Sequence, residues 1–281
     1  MPCYHPWTTD AGNVVTCGQC RGCRAGKRRE WSLRCMHEAS MHEDNCFVTL
    51  TYDDEHLPPG GSLDGPIYQS DGSRKEKPGA FALFMKRLRK AVAPQRVRYF
   101  HVGEYGECTN RPHYHALFFG FDAPDKELLT VRKGFPVYTS ELLRETWPYG
   151  LHEVGSVTVA SAGYVSRYFQ KRITGSWAKL KYGDREPEYG TMSRNPGIGA
   201  SWIDRYRCEV FPADSVVVRG QLVPVPRYYT DRVAVGDPML IEEMKWCRYK
   251  NRRREDQTPE RLYAREVCHM AKDSLEGGGE L

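Results

Sequence analysis

The 281-residue sequence contains no run of about 18 apolar residues, so neither a membrane-spanning helix nor a membrane partner is expected. Its first residues carry no apolar signal-peptide core, which places the expected location in a cytoplasm. No internal repeat is visible. No phosphate loop of the form GxxxxGK followed by Ser or Thr occurs, which excludes a helicase of that type. Nor is hydrophobicity low: 40% hydrophobic and 27% charged residues are ordinary for a folded protein and exclude disorder throughout. A disulfide framework does not fit a reducing compartment, so the ten cysteines read as free thiols or metal ligands.

What is present is positive charge in clusters. The formal charge of +5 comes from 41 basic and 36 acidic residues, an excess that is unevenly placed. Residues 21–34 carry Arg21, Arg24, Lys27, Arg28, Arg29 and Arg34 against Glu30 alone. Residues 74–98 carry nine basic side chains, Lys86, Arg87 and Lys90 among them, against Glu76. Any single run reads as a solvated helix face. Several in one chain point to a polyanion whose phosphates are neutralised with release of counterions. Arg21, Arg24, Lys27, Arg28, Lys86, Arg87 and Lys90 are the candidate DNA-binding residues.

The chain divides into a Cys- and Arg-rich N-terminal segment (1–45) with a helix over 27–42, a core (46–175) and a C-terminal accessory region (176–281). Residues 46–52 have the β-branched and aromatic composition of a strand, and 53–78 form a loop rich in Pro, Gly, Asp and Ser. Phe81, Phe84, Met85 and Leu88 recur at i, i+3, i+4 and i+7, the stripe of an amphipathic helix that Pro94 ends. Strands over 97–102 and 113–121, a helix over 140–147, a strand over 151–159 and a helix over 160–172 follow. The expected fold class is α+β, a central antiparallel sheet of ferredoxin-like or RNA-recognition-like split βαβ type with flanking helices. Beyond 176 the pattern becomes irregular: turn-rich over 176–215, a hairpin within 215–229, helix within 237–270 and disorder over 277–279.

His113 and His115 carry the sharpest chemical signal. Residues i and i+2 of a strand share a face, so both imidazoles project together while Tyr114 goes opposite. Glu104, at the close of the preceding strand, can be folded towards them by a hairpin, with Glu107 and His101 as competitors for the third position. Two His and a carboxylate with open positions suit Mg²⁺ or Mn²⁺ acting as a Lewis acid on a phosphate; a bare His-x-His would read as surface histidines. Tyr164, Tyr168 and Lys171 stand at i, i+4 and i+7 of a helix and stack along one side. A phenol titrates near about 10, so a neighbouring ammonium helps it act as a nucleophile. Taken alone, the two tyrosines read as core aromatics.

Cys17, Cys20 and Cys23 stand at two-residue gaps, with Cys3 as the fourth candidate and His5 and Cys35 behind it. Together they suit a structural Zn²⁺ that folds a segment with little core of its own, the alternative being reduced cysteines in a mobile arm. Cys46, Cys108, Cys208, Cys247 and Cys268 read as packing residues.

These segments resemble the HUH replication initiators, most closely the rolling-circle initiators of Microviridae in their gokushovirus-like branch. Phe47 to Tyr52 is similar to the family's structural first motif, Gly103 to Gly106 with Arg111 to His115 to its metal motif, and Tyr164 to Lys171 to its two-tyrosine motif. The resemblance covers roughly 1–175; Arg167 keeps a cation where some relatives have Lys. It implies a nickase acting on the origin of single-stranded circular DNA in the cytoplasm of a bacterial host. His113, His115 and Glu104 would hold the ion, and one tyrosine would attack phosphorus, leaving a 5′-phosphotyrosine and a free 3′-OH for a host polymerase. Unwinding would fall to a host helicase, and the second tyrosine would allow a second cleavage and rejoining. Two rivals stand beside it: a transposase or relaxase with the same chemistry, and a non-catalytic zinc-containing DNA-binding protein.

Overall fold

Cys46, Val48, Leu50 and Tyr52 are buried, while Asn45, Phe47, Thr49 and Thr51 between them are half-buried, the period of two that a pleated strand imposes. A computed structural model describes residues 3–64, 78–106, 109–168, 176–251 and 253–276. In chain order the elements begin with β1 (Trp7–Thr8), β2 (Val14–Val15), α1 (Arg21–Ala39), β3 (Asn45–Tyr52), α2 (Ala80–Ala91), β4 (Arg98–Tyr105) and β5 (Pro112–Phe119). They continue with β6 (Glu127–Arg132), β7 (Phe135–Thr139), α3 (Glu141–Thr146), β8 (Gly150–Ser156), α4 (Val159–Tyr168), α5 (Ser176–Tyr182) and β9 (Tyr189–Met192). Last come α6 (Ala200–Ala213), β10 (Ser215–Val218), β11 (Gln221–Pro224), α7 (Arg227–Gly236), α8 (Pro238–Lys250) and α9 (Pro259–Glu276).

By contacts the chain forms two compact units, Trp31–Ile203 and a second made of Met1–Glu30 with Asp204–Leu281. In the first, seven strands among the described residues form one sheet in the order β6-β7-β8-β3-β5-β4-β9, every neighbouring pair antiparallel. Its central four, β8-β3-β5-β4, with α2 between β3 and β4 and α3 leading into β8, make the expected split βαβ fold. The β6–β7 hairpin, not anticipated from sequence, extends one edge; β9 extends the other.

Two apolar layers sandwich the sheet. On one face Phe81, Phe84, Met85 and Leu88 of α2 meet Val48, Leu50, Phe118, Leu143 and Trp147. On the other, Phe100, Val102, Leu117 and Phe119 meet Cys35 and Ala39 of α1, Ala162 and Val165 of α4, and Ile198. Burying one such side chain contributes about 1.5–3 kcal/mol, so these layers rather than surface ion pairs hold helices to sheet. Glu38 on α1 adds a buried tie, pairing with Arg98 on β4 and accepting from the Gly199 amide at 2.7 Å.

Contacts group residues from both sides of positions 45/46 and 175/176. The end of α1 covers the sheet and β9 pairs with β4, so the unit runs beyond the motifs on both sides. Residues 176–215 are likewise not turn-rich throughout but hold α5, β9 and α6. In the second unit β10 and β11 form the expected hairpin, and the helical stretch after 237 divides into α8 and α9, the latter opening on Pro259. There α7 and α8 pack together with Tyr229, Val233, Ile241 and Met244 buried. No helix among the described residues is long and apolar enough to cross a membrane.

Gly150 opens β8 at φ 144°, and a Cβ there would collide with the Asp53 amide nitrogen and the Thr51 carbonyl oxygen. Gly150→Ala is expected to destabilise the protein by about 3 kcal/mol in urea unfolding. Gly155→Ala, where the nearest neighbour is Phe47 Cδ1 at 3.7 Å, should stay within about 1 kcal/mol of wild type.

Candidate active site

The registers of three strand pairs build the site. Glu104 on β4 stands opposite His113 on β5, and His115 stands opposite Thr49 on β3, which in turn faces Glu153 on β8. These side chains lie on the sheet face covered by α1 and α4, whereas Tyr114 points into the α2 layer, as the alternation required. Glu104 Oε1 is 2.9 Å from both His113 Nε2 and His115 Nε2. His101 is not part of the group: it is buried on the α2 side, stacked on Phe81 with centroids 3.4 Å apart and bonded to Thr191. Glu107 lies outside the described residues.

The donor chemistry of this trio asks for a cation. His113 Nδ1 faces the Arg111 carbonyl at 3.0 Å and must donate to it, so Nε2 of the neutral ring is an acceptor. That acceptor confronts a carboxylate oxygen, another acceptor, unless a proton or a metal ion stands between them. Glu104 Oε2, buried, has no hydrogen-bond partner among the described residues, a state that costs about 1–3 kcal/mol or more for a charged group. Thr49 Oγ1 holds His115 Nδ1 at 3.0 Å and so orients the ring. Burial lowers the His115 pKa against the opposing pull of Glu104, leaving a neutral imidazole suited to ligation near pH 7. Burial pushes the Glu104 carboxyl upward, but the two adjoining imidazole rings outweigh it and lower its pKa below the usual carboxylate range. The ligand atoms of Glu104, His113 and His115 lie within 4.8 Å of one another and can hold a metal ion.

Helix α4 brings a phenol to this cluster. Its start is fixed by reciprocal caps, the Ser161 amide donating to Thr158 Oγ1 at 3.1 Å and the Thr158 amide to Ser161 Oγ at 2.8 Å. Ala162 and Val165 then face the sheet, and Tyr164 OH comes 3.5 Å from His115 Nε2. The Arg167 guanidinium lies 5.7 Å from the Tyr164 ring centroid. Tyr168 ends the helix, and Lys171 lies outside the described residues. A groove of about 380 Å³ is lined by Thr49, His113, His115, Glu153, Arg132 and Tyr164 together. A larger cavity of about 600 Å³ in the second unit, lined by Asp204, Arg207, Tyr228 and Arg232, has no comparable ligand group, so size does not mark the site.

Cys3, Cys17, Cys20 and Cys23 form the second group able to hold a metal. Cys3 Sγ is 3.6 Å from Cys17 Sγ and 3.9 Å from Cys20 Sγ. Four thiolates around one tetrahedral Zn²⁺ would stand about 3.8 Å apart. Amides of Cys23 and Tyr4 donate to Cys20 Sγ and, despite burial, push its thiol down to about 6. Cys35 is in the sheet-facing layer and His5 pairs with Glu266, so neither reserve ligand joins. Cys46 is buried as expected, but Cys208, Cys247 and Cys268 are exposed rather than packed.

The candidate DNA-binding residues are scattered. Arg24, Lys27 and Arg28 are exposed on α1, and Arg21 pairs with Asp273 at 2.9 Å. Lys86 and Lys90 are exposed on α2, which covers the sheet face away from the trio. Arg87 is engaged internally, donating to the Thr146 carbonyl and Tyr149 hydroxyl at 3.1 and 2.7 Å. Sequence reasoning missed Thr49, Arg132 and Glu153. Thr49 was reachable from strand parity; the other two required knowing that β8 neighbours β3.

Fold and site thus define an α+β protein with a Glu-His-His trio able to hold a metal ion and a helix-borne tyrosine on one sheet face. The replication-associated protein ORF2/G2P family matches residues 45–173. Replication-associated protein VP4 of Bdellovibrio phage phiMH2K is 37% identical over 252 residues, 85% of this chain and 72% of that protein. Replication-associated protein ORF2 of Spiroplasma virus 4 is 32% identical over 228 residues, 78% of this chain and 67% of that protein. Replication-associated protein ORF4 of Chlamydia phage 1 is 28% identical over 226 residues, 77% of this chain and 53% of that protein. No solved structure matches the chain. The chain belongs to the replication-associated protein ORF2/G2P family, the Microviridae-like replication initiators that its motifs resemble.

Manganese at a hundredfold excess over its Kd is expected to stabilise the protein by about 2.7 kcal/mol, read as a raised melting temperature. Glu104→Gln combined with His113→Ala should remove that rise; an equal rise in the variant would place the ion elsewhere.

Proposed function

We propose that this chain is the initiating nickase of rolling-circle replication, cutting single-stranded circular origin DNA with a tyrosine and a divalent ion. The observation that carries the reading is the 3.5 Å approach of Tyr164 OH to His115 Nε2, a nucleophile beside a metal-ligand trio in an open groove. His113, His115 and Glu104 hold Mg²⁺ or Mn²⁺, oxygen- and imidazole-accepting ions that, when bound, polarise a phosphate as a Lewis acid.

The residues of the chain do the rest. Tyr164 Oη gives its proton to solvent water in the open groove and attacks phosphorus; the P–O3′ bond breaks, and the departing oxygen takes a proton from solvent to become a 3′-OH. The protein is left joined to DNA through a 5′-phosphotyrosine. Arg167, against the Tyr164 ring, favours the phenolate, and Lys171 is assigned the same role for the second nucleophile, Tyr168. Attack of the new 3′-OH on the phosphotyrosine reverses the step and closes the strand without ATP. A host polymerase extends the 3′-OH and a host helicase unwinds the duplex, in the cytoplasm of a bacterial host. The Cys3, Cys17, Cys20 and Cys23 group holds a structural Zn²⁺, and the exposed Arg24, Lys27 and Arg28 beside it in sequence contact phosphates.

Tyr164→Phe with Tyr168→Phe should cut the covalent protein–DNA adduct on an origin-bearing single-stranded circle by at least about 10³-fold, while binding persists. An adduct at wild-type yield would refute the tyrosine mechanism. Metal analysis of purified protein should find about one equivalent of zinc, lost in Cys20→Ser with Cys23→Ser. Zinc-free wild-type protein that remains folded would remove the zinc assignment.

A further inference from the structure

Among the described residues lining the groove, Arg132 alone is Lys or Arg. It closes β6, at the edge of the sheet, and forms a two-pronged ion pair with Glu153, Nη1 to Oε2 at 2.9 Å and Nη2 to Oε1 at 2.8 Å. Glu153 stands two strands from His115 along one row, His115 opposite Thr49 and Thr49 opposite Glu153. The pair is therefore in the groove wall, yet the two side chains keep 61% and 32% of their exposure. An ion pair this wet contributes little to stability. What it does is fix the direction of a planar, phosphate-shaped fork of donors next to the trio. Phe135, in register with Arg132 and 61% exposed, offers a ring at the same point of the hairpin. A phosphate contact beside an exposed aromatic is the pattern that grips a single strand of nucleic acid, backbone on the cation and base on the ring.

We propose that Arg132 is a backbone-phosphate contact for single-stranded DNA in this groove, and that Glu153 is its competitor, holding the guanidinium in place and yielding it when the strand enters. The inference rests on the groove being the seat of the DNA in the proposed nickase, and makes Arg132 a positioning residue outside the chemistry. The carboxylate acts as a stand-in for phosphate, so its removal strengthens binding through Arg132. An ordinary structural ion pair would behave otherwise, each partner's loss weakening the same structure.

Binding of a labelled mixed-sequence DNA oligonucleotide of about 15 nucleotides, followed by fluorescence anisotropy in EDTA so that no cleavage occurs, tests this. Arg132→Gln should weaken binding about fivefold at about 0.1 M salt and flatten the slope of log affinity against log salt by about 0.7, the value of one phosphate contact on a single strand. Glu153→Gln should tighten binding, and that gain should vanish in the double variant, with melting temperatures unchanged throughout. Unchanged affinity in Arg132→Gln, weaker binding in Glu153→Gln, or a gain that survives in the double variant would each overturn the proposal; the last would mean Glu153 repels DNA by charge alone. Adduct formation by wild-type protein is read separately. A protein that binds through Arg132 but never forms an adduct refutes the nickase and keeps the contact, whereas one that forms the adduct and ignores Arg132 loses only the contact.

Discussion

Slipping β5 by one residue against β4 would turn His113 and His115 into the α2 layer and bring Tyr114 into the groove, because neighbouring residues of a strand face opposite ways. The candidate site therefore depends on register before anything else. Two apolar layers enforce it. Tyr114 is wholly buried against Phe81 and Trp147 on one side, and Leu117 and Phe119 are buried against α1 and α4 on the other. Gly103 adds a local lock, since a Cβ there would stand 3.0 Å from the Tyr114 ring. A slip would expose these side chains and bury imidazoles without partners, at a cost of several kcal/mol.

Once register is set, the electrostatics of the trio follow. A carboxylate oxygen and the acceptor nitrogen of His113 meet beside His115, and among the described residues the other carboxylate oxygen has no donor. Such a grouping is unfavourable by itself and becomes favourable with a cation. The stability of the surrounding sheet, built on buried aromatic and aliphatic side chains, is what allows a locally costly arrangement to persist at the candidate site. The groove beside it carries a second balanced charge, Arg132 against Glu153, so among the described residues its walls offer one Lys or Arg side chain, paired with a carboxylate.

The second unit solves a different problem. Residues 3–23 contain little to bury beyond Cys3 and Tyr4, too little apolar area to hold a segment in place. Four sulfurs gathered closely enough to hold a metal ion stand in this segment, and polar ties tether it: Tyr4 OH to His269 at 3.0 Å and Arg21 to Asp273 at 2.9 Å. Helix α9 consequently turns His269 and Asp273 towards the cysteine segment while Tyr263 stays 69% exposed.

By itself the sequence determined which side chains could share a face. The strand period paired His113 with His115, the helical period set Phe81, Phe84, Met85 and Leu88 on one stripe, and two-residue gaps grouped Cys17, Cys20 and Cys23. These are local rules, acting within a single element, and the element order was enough for the split βαβ fold. What only the tertiary structure decided is who stands beside whom across elements. It selected Glu104 over His101, set Tyr164 against His115, brought Glu153 and Arg132 into the groove, and engaged Arg87 internally while leaving Lys86 on the far side of the sheet. It also packed the end of α1 and β9 onto the same sheet. The reason is that strand order and helix placement are fixed by burial summed over distant segments, a quantity that no window of neighbouring residues contains.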